Sequence, residues 1–449
     1  MISEAVDLSV PFYEGMPTED DLPPKFWERM SHASARRFYN NTQSRAGRVF
    51  LTTDYTGTHI DGPLRFNPAG EGIEQVALDK LIRPARLLDF RWLGRSGVIT
   101  SNELEKLGTE IAAGDAVVLW TGHDVFLKSP DYFWFRPHLS NDGAEWLAKR
   151  EVGLVAADFP GIGRPNDLHY ECKRILHGAG VLTVEQLCKL SKLEGQSWHL
   201  FAAPLRIRGG AGSPIRAVAL IDWHASQVID LTLDIYSGMP SLGPVPSQWT
   251  RAKHNVIDTF YDHKVSYQTH GLFLNEHAGT HFDAPYHFDE EGPAIDDLPV
   301  SSLYYRAHVF DMTHKQPLDP IGAEDLATAA SHAGLKIEKG DAAVVWTGHS
   351  KNYYTRSDFC SHRPFITEDG AKWLVETGAG VVATDLIGLD EPIDLTSPVH
   401  SALLHNGVCM LQVLTNLDRL VGEGWYIGAF PLKLVGGTGA PLRAFAAKA

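Results

Sequence analysis

The chain is written twice. "DLSVPFYEGMP", from Asp7, returns as "DLTLDIYSGMP", from Asp230. "YTGTHIDGPLRF", residues 55–66, returns as "HAGTHFDAPYHF", residues 277–288. "GDAVVLWTGH", ending at His123, returns as "GDAAVVWTGH", ending at His349, and the tail "APLRIRGGAGSPIRA" returns as "FPLKLVGGTGAPLRA". Matches this long, in one order and with a nearly constant offset, mark a duplication. The period is far above the roughly 20–50 residues of solenoid repeats, so the repeated unit is a whole domain. Residues 1–224 form one copy and 225–449 the other, and 449 residues is a length at which two cores are expected. No Pro/Gly-rich linker separates them near Ile221 to Val228, so the copies are expected to pack tightly together.

Each copy mixes element types. Short apolar runs such as Ala116–Leu119, Gly153–Ala156, Ala343–Val345 and Gly380–Ala383 predict buried strands. Segments near Asp142–Ala148 and Asp369–Thr377 start polar, carry an apolar stripe and predict helices. The alternation is not strictly βαβ, and the fold class is α/β.

The phrase at 277–288 carries the chemistry. Gly279, Thr280 and Pro285 disfavour a helix. In an extended stretch His281 and Asp283 point the same way, and a turn at Gly279 brings His277 alongside. Two imidazoles and a carboxylate suit Zn²⁺, Mn²⁺ or Fe²⁺ and leave positions open for water and substrate. His287 is either a fourth ligand or a general acid/base. Glu290, in "FDEEG", is a compensating carboxylate or a solvated acidic turn. Neither a GxSxG motif nor a Cys/His nucleophile pattern occurs, and the glycine-rich tails lack phosphate-loop spacing.

The pattern HxGTHxDxPxHF, complete only in the second copy, resembles the signature of the metal-dependent cyclase-family hydrolases, which include bacterial kynurenine formamidases and isatin hydrolases. "GDAAVVWTGH" and "HSALLHNGVCMLQVL" extend the resemblance over most of both copies. It implies two tandem cyclase-family domains of the swivelling β/β/α kind, packed as an intramolecular pseudo-dimer. It further implies His277, His281 and Asp283 as ligands, His287 as acid/base, and His400 with the position of Gln412 as further ligands. The family carries a glutamate where Gln412 stands, and an amide is a weaker ligand, so one divalent metal per chain, Zn²⁺ or Mn²⁺, is expected, with no organic cofactor. The tandem form resembles the zinc-dependent trans-dienelactone hydrolases of aromatic degradation. The leading expectation is therefore a hydrolase that opens a carboxylated lactone. The alternatives are a lactam or formamide of the isatin or N-formylkynurenine type and, from another class, a metal-binding pseudoenzyme or scaffold.

The first copy has lost parts. Tyr55 stands for His277, Arg65 for His287 and Lys173 for His400, while His59, Asp61 and Glu185 remain. Two cations beside the surviving ligands predict a degenerate site. The first copy is then expected to wall the second copy's pocket, with Arg65 directed at an anionic substrate or paired locally with Asp61. His349 and Trp346 are candidate substrate contacts, Trp346 sharing with Tyr286 and Tyr236 the role of an aromatic wall. The recurrence of His349 as His123 in the degraded copy favours a structural turn.

A net charge of −15 argues against nucleic acid or an anionic membrane as partner. A small-molecule substrate remains, and a further homo-oligomer is compatible with the sequence. Four cysteines without CxxC spacing, no 18-residue apolar run and no secretory start lead to the expectation of a cytoplasmic protein.

Overall fold

The computed structural model describes residues 2–19, 22–108, 110–420 and 422–449. In the first copy nine strands form one sheet. Their order is Glu4–Asp7, Val218–Ile221, Trp198–Phe201, Ile82–Asp89, Ala116–Trp120, Leu154–Ala157, Leu182–Glu185, His59–Asp61 and Gly212–Pro214. The four strands from Ile82–Asp89 to Leu182–Glu185 run parallel, and the flanking ones are antiparallel. Residues 227–448 repeat the same order in a second nine-stranded sheet.

The central strands are apolar along their whole length because both faces are covered. Ala116, Val118 and Trp120 enter the core shared by the two copies, while Val117 and Leu119 enter a separate core under the helices Asn141–Lys149 and Glu171–Gly178. Ala342 and Val344, against Ala343 and Val345, repeat the alternation. Aromatic side chains close the shared core: the ring of Phe201 lies 5.1 Å from Phe430 and 5.2 Å from Phe445. The predicted helices appear as Asn141–Lys149 and Glu368–Glu376, each with its N-cap side chain (Ser140, Thr367) accepting from the backbone of the first turn.

A four-stranded sheet joins the copies, in the order Ser247–Ala252, Thr269–Asn275, Gly47–Thr53, Lys25–Met30. Its central pair is antiparallel, with Gly271 opposite Thr53 and Asn275 opposite Val49. Gly271 is the repeat equivalent of Val49 and Asn275 that of Thr53, so the two pairs exchange under the repeat and the register is self-complementary. Its consequence for function is that residues 44–48 of the first copy lie against the histidine phrase of the second. Among the described residues no helix is long and apolar enough to cross a membrane.

Candidate metal centre and its twin

The geometry of the second phrase follows from one turn and one short strand. Gly279 adopts φ +61°, and a Cβ there would meet Ile235 at 3.1 Å and Met239 at 3.5 Å. Thr280 fixes the loop: its hydroxyl donates to the Val413 carbonyl at 2.7 Å and accepts from the Leu233 N–H at 3.0 Å. The strand His281–Asp283 then places His281 and Asp283 on one face, opposite Gln412 and Met410 of the neighbouring strand. His277 enters across the turn, its N–H donating to Asn275 Oδ1 at 2.7 Å. Gly439 makes room for it, since a Cβ there would meet His277 Cε1 at 2.8 Å.

Hydrogen-bond accounting fixes which nitrogens face inward. His281 Nδ1 lies 2.8 Å from the Gly279 carbonyl, which can only accept, so Nδ1 carries the proton and Nε2 the lone pair. Thr438 donates its one hydroxyl proton to Glu276 at 2.7 Å and accepts from His277 Nε2 at 3.0 Å, leaving the His277 Nδ1 lone pair free. Both lone pairs point at Asp283 Oδ1, at 2.6 Å from His277 Nδ1 and 3.3 Å from His281 Nε2. With both imidazoles neutral these are three acceptors turned on one another in a buried site, a repulsion that a proton on His277 or a cation among them relieves. That donor set, two imidazoles and a carboxylate, fits a divalent ion. Ligand atoms of His277, Asp283 and His287 all fall within 4.8 Å of one another. Burial opposes charge on His277, but Asp283 outweighs it and lifts its pKa above the ordinary histidine value. Burial likewise works against the Asp283 carboxylate, and His277 with His281 holds it well below the usual range.

His400 completes the ring of side chains. Its Nδ1 is bonded to Asp390, and its Nε2 lies 3.8 Å from Asp283 Oδ2. Asp390 is itself held by the Val399 N–H at 2.6 Å, an outer carboxylate of the kind that orients ligating histidines. The His287 ring lies 4.2 Å from that of His277, tilted by 31°. Its Nδ1 donates to the carbonyl of Ala46, in the first copy, at 2.6 Å, and the Ala46 N–H returns a bond to the His287 carbonyl at 2.9 Å. The remaining Nε2 carries a lone pair. Burial, helped by His277 and His400, pushes the His287 pKa well below its ordinary value and keeps the ring neutral.

A cavity of about 360 Å³ opens over these residues. Its wall is shared, for Arg29, Arg45, Ala46 and Arg48 come from the first copy. Arg48 donates to the fully buried Glu276 at 2.8 Å, so the chain Arg48–Glu276–Thr438–His277 runs from one copy into the site of the other.

Several expected contacts fall elsewhere. Gln412 is a brace: its Nε2 donates to Asp283 Oδ2 at 2.6 Å and its Oε1 accepts from the Gly388 N–H at 2.6 Å, so both ends of the amide are committed. Glu290 is partly exposed and ion-paired with Arg36, away from the histidines. Arg65 lies 3.7 Å from Asp61 of its own copy and donates to the Gln268 carbonyl of the second copy at 3.2 Å, but it does not line the cavity. His349 is buried, bonded to the Phe359 carbonyl at 2.8 Å, as His123 is to that of Tyr132 at 2.9 Å. Burial lowers both histidine pKa values to about 4, and this pair holds a turn. Trp346 ends its strand opposite Asp311, Tyr286 leans edge-on against His32, and Tyr236 packs under Arg208; none lines the cavity, whose aromatic member is Phe288. The sequence reading missed Glu276, Thr438, Asp390 and the arginines from the first copy. Only Glu276, adjacent to His277, carried a local signal.

The first copy repeats the scaffold. His59 Nδ1 is bonded to the Gly57 carbonyl at 2.8 Å, and Thr58 bridges the Gln186 carbonyl and the Val10 N–H. His59, Asp61 and Glu185 again form a cluster of metal-ligand type. Here the Lys173 ammonium sits between the carboxylates, 2.7 Å from Asp61 and 2.6 Å from Glu185. Burial disfavours the Lys173 charge, but the two carboxylates outweigh it and raise its pKa above the usual lysine value.

The family model described as putative cyclase matches residues 6–164 and again residues 229–391, together well over half of the chain. A kynurenine formamidase of Salinibacter ruber is 34% identical over 202 residues, covering 44% of this chain and 85% of that protein. An isatin hydrolase of Roseibium aggregatum is 32% identical over 213 residues, covering 41% of this chain and 79% of that protein. A solved structure of isatin hydrolase A from Ralstonia solanacearum aligns at 25% identity and a TM-score of 0.44, over 49% of this chain and 91% of its own.

Proposed function

The chain belongs to the cyclase family, matched once in each copy, and from that premise we propose that its second copy is a metal-dependent amide hydrolase acting on a formamide or a cyclic amide. The observation that carries this reading is the inward-facing acceptor set of His277, His281 and Asp283 beside a neutral His287. The relatives named above are a formamidase and an isatin hydrolase, both acting on amide bonds, and they support an amide over the carboxylated lactone expected from the tandem form.

His277, His281 and Asp283 would hold one divalent ion, with His400 at its edge. A bound ion of this kind polarises a scissile carbonyl and lowers the pKa of water toward about 7. Gln412 holds the second oxygen of Asp283 and fixes the carboxylate plane. His287, tethered through Nδ1 to Ala46, takes the proton of the attacking water at Nε2 and delivers it to the leaving nitrogen. Water and amide thereby become carboxylate and amine. The self-complementary sheet and the Ala46–His287 bond support a reading of the two copies as a fused dimer in which the first builds part of the second's site.

The test is hydrolysis of N-formylkynurenine and of isatin by the purified chain, with metal counted per chain before and after chelation. Turnover of at least one, abolished by chelation and restored by Zn²⁺ or Mn²⁺, is expected, with about one metal per chain. A chain that holds its metal and cleaves neither of these nor 2-formamidobenzoate overturns the reading.

A further inference from the structure

Four arginines line the cavity, and two have ordinary structural work. Arg48 is bound to Glu276. Arg363 is buried, donates to the carbonyls of Cys360 and Pro364, and lies in the field of Asp390. Arg29 and Arg45 differ. Among the described residues neither is ion-paired with a carboxylate; Arg45 lies 4.9 Å over the Tyr39 ring and donates to its hydroxyl. Arg29 packs against Gly243, where a Cβ would meet its Nη1 at 2.9 Å. Both guanidinium groups line the same cavity as His277, His281 and Asp283, and burial, then the charge of Arg45, lowers the pKa of Arg29. Two cations that line one cavity without a carboxylate partner are stabilised by an anion held there.

The acids of the lining do not neutralise them. Asp283 and Asp390 are engaged by histidines, Asp394 accepts from Thr396, and Glu391 is exposed. The first copy's site lacks the pair. The repeat equivalents of Arg29 and Arg45 are Arg251, which donates to the Tyr55 hydroxyl at 2.7 Å, and Tyr267, which packs on Tyr170. At this pair of equivalent positions, two arginines thus stand only beside the complete histidine set.

We propose that Arg29 and Arg45, carried by the first copy, form a carboxylate clamp at the mouth of the second copy's cavity, and that the amide cleaved there bears a carboxylate near the scissile bond. The inference rests on the amide-hydrolase reading. It gives the degenerate copy a direct part in substrate choice: planar forks suit carboxylate recognition, and a partly exposed pair of this kind weakens with salt.

The test compares 2-formamidobenzoate with its methyl ester on the metal-loaded chain, in wild type, Arg29→Gln/Arg45→Gln and Arg45→Lys. Wild type should favour the free acid at least tenfold in kcat/KM. The double variant should lower that ratio at least tenfold, chiefly through KM, with 1 M salt acting in the same direction and Arg45→Lys retaining part of the preference. A ratio unchanged in the double variant overturns the clamp, as does a wild type that prefers the ester. Cleavage of neither compound counts against the hydrolase reading and removes the basis of the clamp with it, an outcome distinct from cleavage without preference.

Discussion

At His59 and at His281 the backbone does the same work. A glycine at φ +61° turns the chain, its carbonyl takes the Nδ1 proton, and a threonine ties the loop to the far strand. In both places buried acceptors converge. The second copy leaves them facing a cavity, and its donor set fits an exchangeable ion. The first copy inserts Lys173, an ammonium on a covalent tether, between Asp61 and Glu185. The difference teaches that a degenerate site need not lose its electrostatics. When ligands are too costly to leave bare in a low-dielectric interior, a fixed cation stabilises them as a metal would, without any chemistry.

The sharpest way to break this comparison is to delete equivalent histidines. His281→Ala should lose the bound metal and bring turnover to background, while His59→Ala keeps both; elemental analysis and amide hydrolysis read the outcome. Metal retained in His281→Ala would mean that the first copy's cluster, not the second's, holds the ion. His287→Ala comes next, with a loss of about 10²- to 10⁴-fold in kcat and metal content unchanged. If the metal leaves as well, His287 is a ligand and the proton role passes elsewhere.

Lys173→Met tests the other half of the comparison by stability. Removing the ammonium leaves Asp61 and Glu185 facing each other, and unfolding at pH 7 should become easier by about 3–5 kcal/mol. The pH dependence follows from the directions of the shifts. Burial raises the pKa values of Asp61 and Glu185, but Lys173 outweighs it and holds both below their ordinary values. Their contribution is therefore present above the usual carboxylate range and lost as pH falls through the depressed values. In Lys173→Met the carboxylates lose that partner, so the gap between variant and wild type should narrow on acidification from pH 7 to about 4. Urea midpoints at the two pH values decide it, and a gap that widens would show that Lys173 is not the stabilising cation. The smallest effect is expected of Glu290→Ala, which should leave metal content and turnover unchanged, because its partner is the exposed Arg36.

The duplication, the α/β class, the His281–Asp283 strand and the turn at Gly279 were all legible in the sequence, because each depends on local periodicity, on glycine's access to positive φ or on comparing the chain with itself. So was the damage to the first phrase, since substitution of Tyr55, Arg65 and Lys173 for three histidines needs no coordinates. The tertiary structure alone decided what the surviving residues touch. It put Gln412 and Glu290 outside the candidate ligand set and kept Arg65, His349 and Trp346 out of the cavity. It also brought Ala46 to His287 and Arg48 to Glu276 across more than 200 positions. The physical reason is that strand period fixes the side of the sheet a residue faces. Which distant segment lies on that side is set by how two apolar sheet faces pack, and no short stretch of sequence encodes that.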